Sequence, residues 1–411
     1  MRHDGSVQMI DAEQRRVRLA RRHRIAPGFR AADVEAATAS MVCLHATDPA
    51  TVYLSAWART DAMTVADLDR ALYADRTLVK HLAMRRTLFV FPREALAAVQ
   101  AGASERVEKS ERERLIRQVA QAGLAPDATR WFADASAAVL AVLAERDATS
   151  TALRAEIPLL EGAIMYGAGK SWGGPVPIGP RVLTSLSAAG LIVRGANRGA
   201  WTTSAPTWTS TTRWLGHEIE RIPGPLARAR LVEQWLRAFG PGTVEDLTWW
   251  LGSTLTAVRR ALVDVGAVEV AIDSRTGYVL PDDLAPVDPV GPWVALLPSL
   301  DPTIMGWYER DWYLGAHRKQ LFDTFGNAGP TAWCDGRAVG AWRQTAGGEV
   351  LLDLLEDVGH EAEAALEAEA ARLTGWLDGV RILPRFPSPL SRTSGPPTRV
   401  HGPAGARRTA R

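Results

Sequence analysis

In the run Leu44-His45-Ala46-Thr47-Asp48-Pro49, an imidazole, a hydroxyl and a carboxylate stand almost side by side. Histidine changes charge near neutral pH, so His45 could take a proton from a bound water. The Thr47 hydroxyl both donates and accepts, and could orient that water. Asp48 could hold the imidazole or place negative charge beside a developing cation. Each group also has a plainer role. His45 and Thr47 could be satisfied structural polar groups, and Asp48 a cap or turn residue before Pro49, where the chain must leave a helix. Positions 45 and 47 do not share a face of an ideal helix, so they converge only at a helix end, which Pro49 can supply.

Basic and aromatic residues gather at other places. Lys80, Arg85 and Arg86 fall on or just beyond a candidate helix, where they could meet phosphates or simply be solvated near a helix C-terminus. Arg181, Arg194 and Arg198 fall on a second candidate helix or on the hairpin after it. Trp307, Tyr308, Arg310, Trp312 and Tyr313 form a cluster whose Trp307 and Arg310 could stack or wedge against bases, or pack as core. His81 is expected to pack or hydrogen-bond within its helix. The segment GAGKS at 167–171 is not a phosphate-binding loop, because that pattern needs glycine where Ile164 stands. Cys43 and Cys334 are the only cysteines, too few for a disulfide framework or a thiolate metal cluster. No metal or other cofactor is expected.

The elements that must position these residues recur in one pattern: short helix, turn, amphipathic helix, then one or two strands. The clearest copy starts at Thr243, which can cap VEDLTWWLG. After Gly252 and Ser253 comes TLTAVRRALVDVG, with AVEVAID and TGYVLPDD as a hairpin. A second copy runs from TSTALRAEIP, across an insertion, to PRVLTSLSAAG and LIVRGANRGAWTT, with Pro180 well placed at a helix start. The first copy is looser. AADVEAATASMVCLHA reads as a helix starting near Asp33, TVADLDRALYAD and TLVKHLAMR as a helix pair, and TLFVFP as a strand. Residues 105–147 read as helical. Beyond about 295, TAWCDGRAVGAWR suggests a hairpin turning at Asp335-Gly336. EVLLDLL reads as its companion strand, EAEAALEAEAARLTGWL as a surface helix and VRILPRF as a final strand.

This predicts a mainly α fold with β wings: three tandem winged-helix modules plus a C-terminal mixed α/β region. The expected divisions are 1–104 (arm and first module), 105–147 (helical connector), 148–222 (second module) and 223–290 (third module). Residues 291–391 form the C-terminal region and 392–411 a basic, disordered tail. The chain has 411 residues and a net charge of +2, with each of the segments 1–30 and 392–411 carrying +5 and the body −8. Basic ends can follow phosphates. No apolar run is long enough to span a membrane and no secretory signal is evident, so a cytoplasmic protein is expected. A winged-helix module can place its second helix in the major groove and its wing along phosphates, but also serves as a protein-binding scaffold.

MVCLHATDPATVYLSAWAR and LVKHLAMRRTLFVFP, followed later by LLPSLDPTIMGWYERDWYLG and AWCDGRAVGAWR, resemble the winged-helix DNA glycosylases that act on bulky alkylated bases and interstrand crosslinks. The resemblance covers roughly residues 10–391. It implies three winged-helix units in a C-shaped arrangement around duplex DNA and hydrolysis of the N-glycosidic bond of an alkylated purine. The family's catalytic motif reads L-Gln-x-Gln-D-P or L-Gln-x-Asp, and its two polar positions fall here on His45 and Thr47, both substituted. The resemblance therefore points to His45, Thr47 and Asp48 as the catalytic set and duplex DNA as partner, with a monomer favoured. The alternatives are a noncatalytic DNA-binding or regulatory protein and a winged-helix interaction scaffold.

Overall fold

The computed structural model describes residues 8–167, 169 and 173–392. Most of GAGKS and nearly all of the basic tail lie outside those residues.

Capping side chains set the starts of the first helices. Asp11 accepts from Gln14 N ahead of Ala12–Arg22, and Asp33 from Ala36 N ahead of Val34–Ser40. The second helix ends well before His45. Val42 turns left-handed at φ 63°, and Leu44–His45 becomes a short strand, β1. Asp48 then caps Pro49–Trp57, with Pro49 in the first turn, where its missing amide proton costs little.

The expected helix over TLVKHLAMR is instead a strand, β2 (Leu78–Ala83), paired antiparallel with β3 (Thr87–Pro92); β1 lies on the far side of β3. Two features hid it. β2 is buried on both faces apart from Lys80, so the alternation that marks a half-exposed strand is missing. Left-handed residues also bracket it, Arg76 at φ 57° before and Arg85 and Arg86 at φ 54° and 61° after, which no helix could cross.

Two long helices follow, Glu105–Gln121 and Ala128–Glu145. Thr149 caps Ser150–Glu156, and the insertion is a small hairpin of β4 (Ala163–Tyr166) and β5 (Gly174–Pro177). Helix Gly179–Ala188 then leads into the hairpin of β6 (Ile192–Asn197) and β7 (Pro206–Ser210). This stretch has its own core, built on Leu115, Val139, Leu153, Val182 and Ile192.

The next unit repeats the order. Helix Gly224–Phe239 precedes Val244–Leu251, where Thr243 and Asp246 form a reciprocal capping box. Gly252 closes that helix at φ 59°, Thr254 caps Leu255–Asp264, and β8 (Val268–Ile272) and β9 (Arg275–Val279) form a hairpin.

The C-terminal part is an antiparallel sheet of β10 (Val294–Leu297), β11 (Thr331–Cys334), β12 (Arg337–Gln344) and β13 (Val350–Leu354), in that order. Asp335 and Gly336, at φ 46° and 81°, make the two-residue turn between β11 and β12. Helix His360–Leu377 turns Leu366, Leu373 and Leu377 inward. The expected last strand, VRILPRF, does not form. Gln344 of β12 holds that segment through single side-chain bonds to Val380 O and Ile382 N, and Pro384 removes a ladder donor.

One continuous core joins the first unit, the third unit and the C-terminal sheet. The fold is thus mixed α/β, with helix pairs and hairpins carried around a shared core. Among the described residues no helix is long and apolar enough to cross a membrane.

Candidate functional site

Strand β1 holds His45 opposite Phe89 of β3, whose ring meets the imidazole edge-on at 5.3 Å. Nδ1 accepts a long bond of 3.4 Å from Thr47 N, which assigns the ring proton to Nε2. Burial, and then the charge of Arg85, push the ring's pKa down to about 3. His45 is therefore neutral at pH 7, and its proton acceptor is already engaged. As folded, it is a positioned donor rather than a ready base.

The imidazole lines a cleft of about 420 Å³. Arg85 and Thr87 reach it from the β2–β3 hairpin, and Trp249 from the Val244–Leu251 helix. Tyr308, Arg310, Arg318, Phe325 and Asn327 come from the segment between β10 and β11. None of the lining residues is acidic.

The hairpin tip is strained in order to build this wall. Arg85 and Arg86 occupy the two left-handed positions that a tight hairpin normally gives to Asn-Gly. Such residues cost on the order of 1–3 kcal/mol each unless their surroundings hold them. Here the hold is visible. The Arg85 guanidinium lies 3.9 Å from the centre of the Trp249 ring, and the chain at Gly252 fits so closely that a Cβ there would sit 3.2 Å from Arg85 Cγ. Burial, with Arg310 adding, lowers the Arg85 pKa to about 10, so it stays charged. Its Nε is enclosed without a hydrogen-bond partner. Arg310 is buried, lies 4.8 Å from the same indole, and donates its Nε–H to Trp307 O.

On the rim, Asp323 Oδ1 accepts from the amides of Phe325 and Asn327, shaping a tight loop closed by Gly326 at φ 84°. Phe325 stands 90% exposed at its tip. The Asn327 side-chain amide donates its N–H to Asp323 Oδ2, which leaves its own Oδ1 to accept.

The other predicted site residues lie elsewhere. The Asp48 carboxylate is committed to Ala50 N and Arg385 N, away from the cleft, and burial raises its pKa. Thr47 offers its carbonyl to Arg385, and neither residue lines the cleft. Five residues expected on DNA-facing surfaces are instead enclosed or engaged. Lys80, mostly covered, donates to the Tyr73 hydroxyl at 2.6 Å, and burial together with Arg194 brings its pKa to about 8. Arg194 is half-buried over Trp208. Arg86 is exposed but paired with Glu111 at 2.7 Å. Arg181 is buried on the inner face of its helix and has partners within the protein. Trp307 is core: 2% exposed, with its indole N–H on Phe239 O. Arg198 stands exposed on the β6–β7 loop. His81, on β2 rather than a helix, is buried against Ser104 Oγ. Among the described residues no group of three His, Cys, Asp or Glu side chains is arranged to hold a metal ion.

Three comparisons bear on this architecture. The fold superposes on the DNA glycosylase AlkZ of Streptomyces sahachiroi with a TM-score of 0.69 over 91% of this chain and 98% of that one, at 21% identity. A curated relative described as an interstrand DNA cross-link repair glycosylase of Streptomyces sahachiroi is 28% identical over 213 residues, 49% of this chain. The match spans little more than half of that relative, 56% of its length. A family model described as DNA glycosylase AlkZ-like matches residues 38–376, most of the chain. This chain belongs to the AlkZ-like DNA glycosylase family.

The family resemblance seen in the sequence thus stands. In this AlkZ-like chain, the first motif position, His45, reaches the cleft while the second, Thr47, does not. Trp249, Thr87, Arg318, Phe325 and Asn327 escaped sequence reading because they come from separate elements with no shared spacing. The DTFGN turn was the one local signal, an Asp-led, Gly-closed loop carrying a large aromatic at its tip.

Proposed function

We propose that this protein is a DNA glycosylase that hydrolyses the N-glycosidic bond of bulky alkylated or crosslinked purines in duplex DNA. The observation that carries this reading is His45, neutral and facing a carboxylate-free, arginine-lined cleft in a chain of the AlkZ-like family. The helix pairs with their hairpins, at 1–104, 148–222 and 223–290, act as winged-helix modules that grip the duplex. Residues 105–147 link the first two, and 291–391 supply the cleft's outer wall.

The chemistry suits a weakly basic site. A purine alkylated at N7 or N3 already carries positive charge and departs as a neutral base when its bond to C1′ breaks. What remains is an oxocarbenium-like sugar. Water adds its oxygen to C1′ and then loses a proton to solvent. The protein's task is to place that water. His45 Nε2–H can donate to it, and Asn327 Oδ1 can accept from it. Thr47 and Asp48, first expected in this role, shape the backbone that presents His45.

Duplexes bearing N7-alkylguanine, N3-alkyladenine or a defined bis-alkyl crosslink test the reading through base release, scored before and after alkaline cleavage. Release from at least one duplex is expected, and lost in His45→Ala. Tight, salt-sensitive binding without release from any of them would make the protein a noncatalytic DNA binder.

A further inference from the structure

We infer that the His45 cleft receives one backbone phosphate flanking the damaged nucleotide, clamped by Arg85 and Arg310, while the cationic base stays outside it. The inference rests on the reading that the protein acts on DNA at His45, and adds what enters the cleft.

Charge is the first argument. Three arginines and no carboxylate line this wall. An alkylated purine that still carries its positive charge is repelled by such a surface, whereas a phosphodiester is attracted. Geometry is the second. A guanidinium offers a planar fork matched to phosphate oxygens, and Arg85 keeps its fork unspent. It takes part in none of the ion pairs among the described residues, its Nε has no partner, and Trp249 fixes its plane. Neighbouring Arg86 is spent on Glu111. The third argument is strain. The turn itself does not require two consecutive left-handed arginines, because Asn-Gly would make it without cost. The strained conformation is what carries Arg85 onto Trp249, beside Arg310 and His45. His45 is affected as well: a phosphate on Arg85 offsets the arginine charge that, after burial, lowers the imidazole's basicity.

The test uses the full chain and a duplex with one central N7-alkylguanine. A single uncharged methylphosphonate replaces the phosphate immediately 5′, immediately 3′, or several nucleotides away. Both dissociation constant and single-turnover base release are read. One flanking replacement is expected to weaken binding about ten-fold, as for loss of a charge-assisted phosphate contact, and the remote one less than about two-fold. Arg85→Met, which keeps bulk over Trp249, is expected to weaken binding to the parent duplex. It should also lower the slope of log affinity against log salt by about 1, yet cost almost nothing further on the sensitive methylphosphonate duplex. Arg310→Met repeats the test should Arg85→Met fail to give wild-type circular dichroism, and the methylphosphonate series on the unaltered chain needs no variant. Equal tolerance of flanking and remote replacements, or an Arg85→Met effect that persists undiminished on the methylphosphonate duplex, overturns the inference. The two readings separate cleanly: base release without flanking-phosphate sensitivity defeats only the clamp, and phosphate-sensitive binding without release defeats only the catalytic reading.

Discussion

Arg59 and Asp301 form a two-pronged ion pair with both side chains sealed from solvent, at 2.7 and 2.8 Å. Ser55 and Thr303 complete the hydrogen bonding around it, and Thr303 passes the network to His23. The pair joins the Pro49–Trp57 helix, which follows the His45 strand, to the segment that supplies Tyr308 and Arg310. Removing one partner strands the other as a buried charge. Asp301→Ala is therefore expected to cost about 3–5 kcal/mol in a denaturant titration, and Arg59→Met with Asp301→Leu together less than either alone. A loss below about 1 kcal/mol in the single variant would show the pair to be dispensable.

Three buried histidines make stability depend on pH. Burial lowers His23 and His45 to about 3 and His81 to about 4, against an unfolded value of 6.5. Below pH 6.5 the unfolded chain takes up protons that the folded chain refuses. The stabilisation is thus full above pH 7 and lost as pH falls toward 4. With three such groups the slope approaches about 4 kcal/mol per pH unit near pH 5. Urea midpoints measured from pH 7.5 to 4.5 give the slope, and His81→Gln is expected to reduce it by about a third.

On the proposed chemistry, His45→Ala and Asn327→Ala should each lower single-turnover base release about 100-fold or more while changing duplex affinity less than about three-fold. Thr47→Ala, whose hydroxyl is outside the cleft, should fall within about three-fold of wild type on both measures. A Thr47→Ala loss equal to that of His45→Ala would return Thr47 to the site.

Lys80 separates a basic residue in sequence from a basic surface in space. Its ammonium is covered and bonded to Tyr73. Lys80→Met is expected to leave the salt dependence of DNA binding unchanged, in contrast to Arg85→Met, which removes about one unit of slope. A matching drop for Lys80→Met would mean that DNA reaches it.

Phe325 is the most exposed large apolar side chain on the cleft rim. If it stacks or wedges beside the lesion, Phe325→Ala should weaken duplex binding by about 1–3 kcal/mol with no loss of thermal stability. Unchanged affinity would leave it a bystander.

The sequence by itself determined the local grammar. Asp33 and Thr243 marked helix starts because their side chains satisfy the first free amides. Asp335-Gly336 marked a hairpin because its turn demands left-handed residues, and the quoted motifs carried the family. The tertiary structure decided what local patterns cannot encode. TLVKHLA became a strand because both its faces are buried and TLFVFP was there to pair with it, which also moved Lys80 under cover and Arg85 to a strained tip. Trp307 went to the core and Phe325 to the surface, though both are large aromatics, because only packing across distant segments sets exposure. The cleft itself exists only where the His45 strand, the Trp249 helix and the Asn327 loop meet, elements spread over some 280 residues of the chain. Of the three residues first expected to share the chemistry, only His45 reaches that meeting point, since Asp48 and Thr47 are occupied with the turn that aims it.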